Sequence, residues 1–142
     1  MPNFVNTNKP VTCFIVDDDR EDQEIFAIAV EEIDSRIQCI TAIDGVEALE
    51  KLKQGFMPDF IFLDLNMPRM GGKETLREIR KIPALFHVPI IAYSTSSETR
   101  DIEDMEKLGA DHFITKPPDI TSLTHKIREA LSIQFRSHEH ER

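Results

Sequence analysis

The sequence predicts a doubly wound α/β domain in which a five-stranded parallel sheet is covered by five helices. Two observations carry that prediction. Five short apolar runs alternate with five segments of helical periodicity, and four of the runs stop at a residue suited to phosphate chemistry. Apolar runs that are nearly continuous rather than alternating belong to strands buried on both faces, the condition of a parallel sheet with helices on either side.

The first strand is Val11 to Val16, and it stops at Asp17-Asp18-Asp19. Acidic residues at that point favour a helix N-terminus, and Ile25, Ile28, Ala29 and Ile33 form the apolar stripe of a first helix. Ile37 to Ala42 is the second strand. Asp44 followed by Glu47 has the spacing of a capping box and opens a second helix, with Val46, Leu49 and Leu52 facing inward. Gly55 stands where a left-handed helix end is expected. Pro58 then precedes the third strand, Phe60 to Leu63, at a position where its missing N–H costs little. This strand ends in Asp64. Leu76, Ile79 and Ile82 supply a third stripe, Pro89 precedes the fourth strand at Ile90 to Tyr93, and that strand ends in Ser94. Met105 and Leu108 mark the fourth helix and Gly109 its end. His112 to Thr115 is the fifth strand, stopping at Lys116. Leu123, Ile127, Ala130 and Leu131 define a last helix that ends near Phe135.

This alternation implies right-handed crossovers, and sheets of this kind bind ligands outside the carboxyl ends of their strands. Asp17, Asp18, Asp64, Ser94 and Lys116 all fall at that edge. Each has a plain reading by itself: acids favouring a helix start, a strand end, a turn cap, a solvated charge. Their joint placement argues for a site. Three carboxylates converging in a partly desolvated cleft repel one another and call for a cation. Mg2+ suits them, since it takes hard oxygen ligands in near-octahedral geometry and keeps some waters. A carboxylate is also a competent nucleophile for phosphoryl transfer, with metal and ammonium neutralising the transferring oxygens. Asp64 is the expected nucleophile and Lys116 the balancing charge.

Length and charge narrow the class. A chain of 142 residues is expected to form one domain, 1–142, with a core from about residue 10 to about residue 135, short flexible termini and no output domain. The net charge of -9 repels nucleic acids and anionic membranes. Met1 to Pro10 has no apolar signal region and nothing approaches about 18 consecutive apolar residues, so the expected location is the cytoplasm and membrane insertion is not expected. Cys13 and Cys39 read as buried apolar thiols rather than a disulfide. His138 and His140 lie on a fraying tail, which is no preorganised metal site. No Gly-x-Gly-x-x-Gly follows the first strand, which argues against a dinucleotide site.

At this point the chain resembles the receiver domains of two-component response regulators, of the chemotaxis-response-regulator type, over nearly its whole length. Val16-Asp17-Asp18-Asp19 is similar to the acidic pair after the first strand. Asp64-Leu65-Asn66-Met67-Pro68 with Gly72 is similar to the phosphoacceptor loop. Pro89 to Ser94 resembles the fourth strand with its switch hydroxyl, and Gly109-Ala110 with Lys116-Pro117 resembles the fifth-strand lysine motif. Ser94 stands where Thr is common, Gly71 replaces a frequent polar residue, and Pro118 follows Pro117 directly.

The resemblance implies a flavodoxin-like fold with strand order 2-1-3-4-5. It implies a stand-alone response regulator whose Asp64 takes a phosphoryl group from a histidine kinase or phosphotransfer protein, with Mg2+ as cofactor. Asp17, Asp18, Asp64 and the Asn66 carbonyl would hold the metal, Lys116 would pair with the phosphoryl group, Ser94 would move to it, and Phe113 would be the aromatic switch. Asn66 and Ser96 occupy positions that tune phosphoryl lifetime. The Lys116–Pro117 bond is expected to be cis. Output would pass through the face of the fourth helix, fifth strand and fifth helix to a separate protein target, or the phosphoryl group would be relayed onward. Apart from the resemblance, Ile133 and Phe135 are apolar near the chain end, which fits a homodimer contact or core packing equally well. The alternative is a Mg2+-dependent phosphohydrolase with an Asp nucleophile, using Asp17-x-Asp19. Chain order opposes it, because such haloacid-dehalogenase-like enzymes place the nucleophile after the first strand.

Overall fold

The computed structural model describes residues 10–96 and 98–140, with side chains described as far as Ser132. Element order is β1 (Val11–Val16), α1 (Arg20–Ile33), β2 (Ile37–Ala42), α2 (Gly45–Lys53), β3 (Phe60–Leu63), α3 (Gly72–Ile79), β4 (Ile90–Ser94), α4 (Thr99–Leu108), β5 (His112–Thr115) and α5 (Ile120–His140). A 3-10 turn at Pro83–Leu85, which no periodic signal announces, leads into β4. The five strands form one sheet in the order β2-β1-β3-β4-β5, and every neighbouring pair is parallel.

Strand side chains alternate between faces, and the sheet therefore sorts its residues into two cores. Cys13 and Ile15 of β1 join Phe62 and Ile91 on one face, packed against Phe26, Ala29 and Val30 of α1 and Leu123, Ile127 and Leu131 of α5. Phe14 and Val16 join Ile61, Leu63 and Ile90 on the other, against Leu49 of α2, Leu76 and Ile79 of α3, and Met105 of α4. Each fully buried side chain of this size stabilises the fold by ~1.5–3 kcal/mol relative to exposure. Phe26 adds an edge-to-face contact with Phe62, ring centroids 4.7 Å apart.

Register matters most at the carboxyl edge, where Val16 pairs with Leu63, Leu63 with Ala92, and Ser94 with Thr115. The ladder continues one bond past the strands. Asp17 N–H donates to Ala42 O at 3.0 Å, Asp64 N–H to Val16 O at 2.9 Å, and Lys116 N–H to Ser94 O at 2.8 Å. The residues that end the runs are thus held in place by their own backbones.

Several expectations are met. Asp44 caps α2 by accepting from the Glu47 N–H at 2.9 Å, and Gly55 and Gly109 both have left-handed φ. Cys13 and Cys39 are free thiols facing one another across β1 and β2, and burial pushes both up, Cys39 to about 11. No helix among the described residues is long and apolar enough to cross a membrane.

Three expectations need correction. The buried stripe of α1 is Phe26, Ala29 and Val30, while Ile28 is 48% exposed. Residues 25–30 are all apolar, so periodicity cannot select the face and packing against α5 decides it. Helix α5 runs on to His140 rather than ending near Phe135, since no helix breaker follows Phe135. The Lys116–Pro117 peptide is trans, the form an X–Pro bond prefers by about 0.5–1 kcal/mol. The side chains of Ile133, Phe135, His138 and His140 lie outside the described residues.

Candidate functional site

Local geometry at the end of β1 separates the roles of the three consecutive acids. Asp17 is buried and its Oδ1 accepts from the Asp19 N–H at 2.9 Å. Asp19 is the N-cap of α1, accepting from the N–H groups of Glu21 and Asp22. Asp18 is left pointing to the exposed side of the cleft. Gln23 on α1 clamps the turn by donating from Nε2 to Asp17 O at 2.7 Å and to Ala42 O at 3.3 Å.

The loop after β3 is built on a glycine and an arginine. Gly72 N–H donates to Leu65 O at 2.8 Å. A Cβ on Gly72 would overlap the Asp64 carbonyl oxygen and sit 2.7 Å from Leu65 Cα, so only glycine lets α3 start this close to the Asp64 backbone. Arg69 holds a left-handed φ of 63°. Its guanidinium forks onto Asp44 Oδ2, with Nε and Nη2 each 2.6 Å away, and ties the loop to the cap of α2.

Asp17, Asp18 and Asp64 come together at this edge, each offering a carboxylate oxygen within 4.8 Å of the others. Lys116 Nζ lies 2.8 Å from Asp17 Oδ2, 2.9 Å from Asp22 Oδ2 and 3.8 Å from Asp64 Oδ2, and 4.9 Å from the centre of the Tyr93 ring. Burial pushes Asp64 up to about 6, opposed by the Lys116 charge, reinforced by repulsion from Asp17 and lowered by the N–H groups of Leu65 and Asn66. Burial also raises Asp17, although Lys116 and the Asp19 N–H pull it down. Burial alone would lower Lys116, but its bonds to Asp17 and Asp22 outweigh that and hold it well above the ordinary lysine value.

A hard divalent cation fits this donor set. Three carboxylates face one ammonium, all the converging donors are oxygens, and two of the acids are buried enough to resist ionising without added positive charge. Asp19, which the phosphohydrolase alternative would pair with Asp17, caps α1 through Oδ1 and is not one of the three acids that converge.

The remaining expected residues are placed less directly. Ser94 is buried at the end of β4, and its hydroxyl accepts from the Ser96 N–H at 3.3 Å. Phe113 is half-buried against the core layer of α2, α3 and α4 and pairs with Ala92 in the ladder. Asn66 is exposed in the loop after Asp64. Sequence reasoning missed Asp22. Its signal is positional: it stands four residues after Asp18 in the first turn of α1, so a helix starting at Asp19 returns it to the cleft side.

A profile of the response regulator receiver domain matches residues 13–128. The transcriptional regulatory protein CpxR homolog of Haemophilus influenzae is 34% identical over 117 residues, covering 82% of this chain and 48% of that protein. Response regulator Rcp1 of Synechocystis sp. is 27% identical over 123 residues, covering 82% of this chain and 84% of that one. The chain therefore spans about half the length of the first relative and most of the second. Among solved structures, the phosphorylated cyanobacterial phytochrome response regulator RcpA superposes with a TM-score of 0.79 at 30% identity, covering 85% of this chain and 91% of that one.

Proposed function

Because the chain belongs to the response regulator receiver domain family, we propose that Asp64 accepts a phosphoryl group from a histidine kinase or a histidine phosphotransfer protein. The observation that carries this reading is the convergence of Asp17, Asp18 and Asp64 beside the Lys116 ammonium. Receiver domains are phosphorylated by histidine kinases, act on partners and generally bind Mg2+. Here the metal would be held by Asp17, Asp18, Asp64 and the Asn66 carbonyl, and it would neutralise charge on the phosphoryl oxygens.

The chain's own residues do the rest. An Asp64 carboxylate oxygen forms the new O–P bond as the donor's P–N bond breaks, the electron pair staying on the departing imidazole nitrogen. Gly72 and the Arg69–Asp44 fork hold the loop so that Asp64 meets the donor in one orientation. Lys116 stands 3.8 Å from Asp64 Oδ2, within reach of a group attached there, and becomes its counter-charge. Ser94, whose hydroxyl accepts from the Ser96 N–H at rest, moves to donate its O–H to a phosphoryl oxygen, and Phe113 turns inward behind it. The outcome is a shift toward an active conformation, read at the face of α4, β5 and α5 by a separate protein, or onward relay of the phosphoryl group. The protein acts only on itself, catalysing its own phosphorylation and dephosphorylation.

Intact mass after incubation with Mg2+ and acetyl phosphate tests this reading. A single phosphoryl adduct is expected, absent from Asp64→Asn and from the metal-free sample. An unchanged adduct on Asp64→Asn would place the chemistry elsewhere. Multiple-turnover hydrolysis of phosphomonoesters would instead revive the phosphohydrolase.

A further inference from the structure

The switch hydroxyl of Ser94 is the last link in a chain of polar contacts that leads back to Asp64 by another route. Ser96 N–H donates to Ser94 Oγ at 3.3 Å, and Ser96 Oγ donates to Asp101 Oδ2 at 2.6 Å. Asp101 Oδ1 is 3.0 Å from Lys73 Nζ, which also reaches Asp104 Oδ2 at 2.9 Å. Asp101 and Asp104 are three apart in α4 and so share the face turned to α3. Lys73 follows Gly72, whose N–H is bonded to Leu65 O and where a Cβ would overlap the Asp64 carbonyl. One end of the chain is therefore fixed to the phosphoacceptor backbone, and the other holds the loop carrying the switch hydroxyl.

From this geometry we infer that Lys73 and Asp101 are positioning residues that latch Ser94 in its resting place. The inference rests on the reading of Asp64 as phosphoacceptor and names how that site is restrained. Ser94 accepts from the Ser96 N–H, and Ser96 is held by an Asp101 that Lys73 pins to α3, so Ser94 can move toward a phosphoryl group on Asp64 only by drawing the 94–96 turn with it or by breaking that bond. The backbone of Lys73 is held beside Asp64, because Gly72 seats the start of α3 against the Asp64 and Leu65 backbone. The latch favours the resting state alone, so weakening it raises the affinity of the site for a phosphoryl group by the same factor that it shifts the resting equilibrium. Asp104 shares Lys73 without touching Ser96, and it belongs to the anchor rather than to the latch.

The test is an equilibrium titration with beryllofluoride, an inert mimic of the aspartyl phosphate, at saturating Mg2+. Lys73→Ala and Asp101→Ala are expected to bind it about two- to fivefold more tightly than the unaltered protein, the range a partly exposed ion pair can supply. Lys73→Arg should restore the original affinity, and Asp104→Ala should shift it less than Asp101→Ala. Amide exchange without metal or mimic should quicken at residues 94–96 and 98–102 in the two tightened variants and stay unchanged in α1. Unchanged or weaker binding by both variants, with the unaltered protein binding normally, overturns the latch and leaves the phosphoacceptor reading standing. An unaltered protein that takes neither beryllofluoride nor a phosphoryl group overturns the reading itself, and the latch with it.

Discussion

Two polar clusters sit at opposite edges of the same sheet and are built on opposite plans. At the amino edge of β4 and β5, Arg80 donates to Gly109 O from Nε at 3.1 Å and from Nη2 at 2.8 Å, and to Val88 O from Nη1 at 3.2 Å. It pairs with Asp111 at 2.9 Å, whose Oδ2 also accepts from the Ile90 N–H. The Arg80 guanidinium meets the Asp111 carboxylate, and the carbonyls at the end of α4 and before β4 are satisfied. At the carboxyl edge Asp17, Asp22 and Asp64 share, among the described residues, the one ammonium of Lys116, with Asp18 alongside. Balanced clusters stabilise a fold. A cluster with surplus negative charge stores a demand for an incoming cation, and that demand is what makes the carboxyl edge a site.

Removing Lys116 or Arg80 should break the comparison most visibly. Lys116→Met leaves Asp17 buried with no ammonium beside it, and the expected loss of stability at neutral pH without Mg2+ is ~3–5 kcal/mol by urea denaturation. Arg80→Met strips the donors from Gly109 O and Val88 O and should cost ~2–4 kcal/mol. The two should part on function: Lys116→Met lowers Mg2+-dependent phosphoryl uptake, whereas Arg80→Met leaves the rate within about twofold once the protein is folded. Equal uptake by both variants would mean that the two edges do not differ in the way described.

What was legible beforehand follows the same division. Strand ends could be read because an apolar run that stops at an acid, a hydroxyl or a lysine is a local signal, and parallel pairing then brings Asp17, Asp64, Ser94 and Lys116 to one edge of the sheet. Asp44, Gly55 and Gly109 were legible for the same reason, since caps are written within one turn of chain. Arg80 was not, because its partners at Gly109 and Asp111 lie 29 and 31 residues away and no pattern near Arg80 announces them. Lys73 escaped notice similarly, being one exposed-looking charge on a polar helix face until α4 is placed beside it. The α1 stripe failed for a third reason: an unbroken apolar run carries no phase.

The burial of Asp64 at the carboxyl edge, beside Asp17, also has a pH signature of predictable sign. Asp64 is pushed from an ordinary value of 3.8 up to about 6 in the folded protein. Between those values the folded state binds the proton and the unfolded state does not. Asp64 thus favours folding fully below 3.8, and that contribution is lost as the pH rises toward 6. Asp64→Asn has no charge to lose, so without metal it should be more stable than the unaltered protein by ~1–3 kcal/mol at pH 7 and show little difference near pH 4. Saturating Mg2+ at pH 7 should narrow the gap, because the metal stabilises only the carboxylate form. A gain of equal size at pH 4 and pH 7 would trace it to packing rather than charge.

The smallest effect comes from the balanced edge, and it asks whether that edge is one unit. Gly109 has φ of +109°, and a Cβ there would lie 3.1 Å from Arg80 Nε and 3.2 Å from Arg80 Cγ. Gly109→Ala should cost ~1–2 kcal/mol, part of it from a backbone that L side chains rarely adopt and part from displacing Arg80 off the helix end. A double-mutant cycle separates the parts. In the Arg80→Met background the guanidinium is gone, so only the backbone part should remain and the two losses should sum to more than the double variant shows, by ~0.5 kcal/mol or more. Strict additivity would mean that Gly109 only ends α4 and that Arg80 binds its carbonyl independently of how tightly the turn is wound.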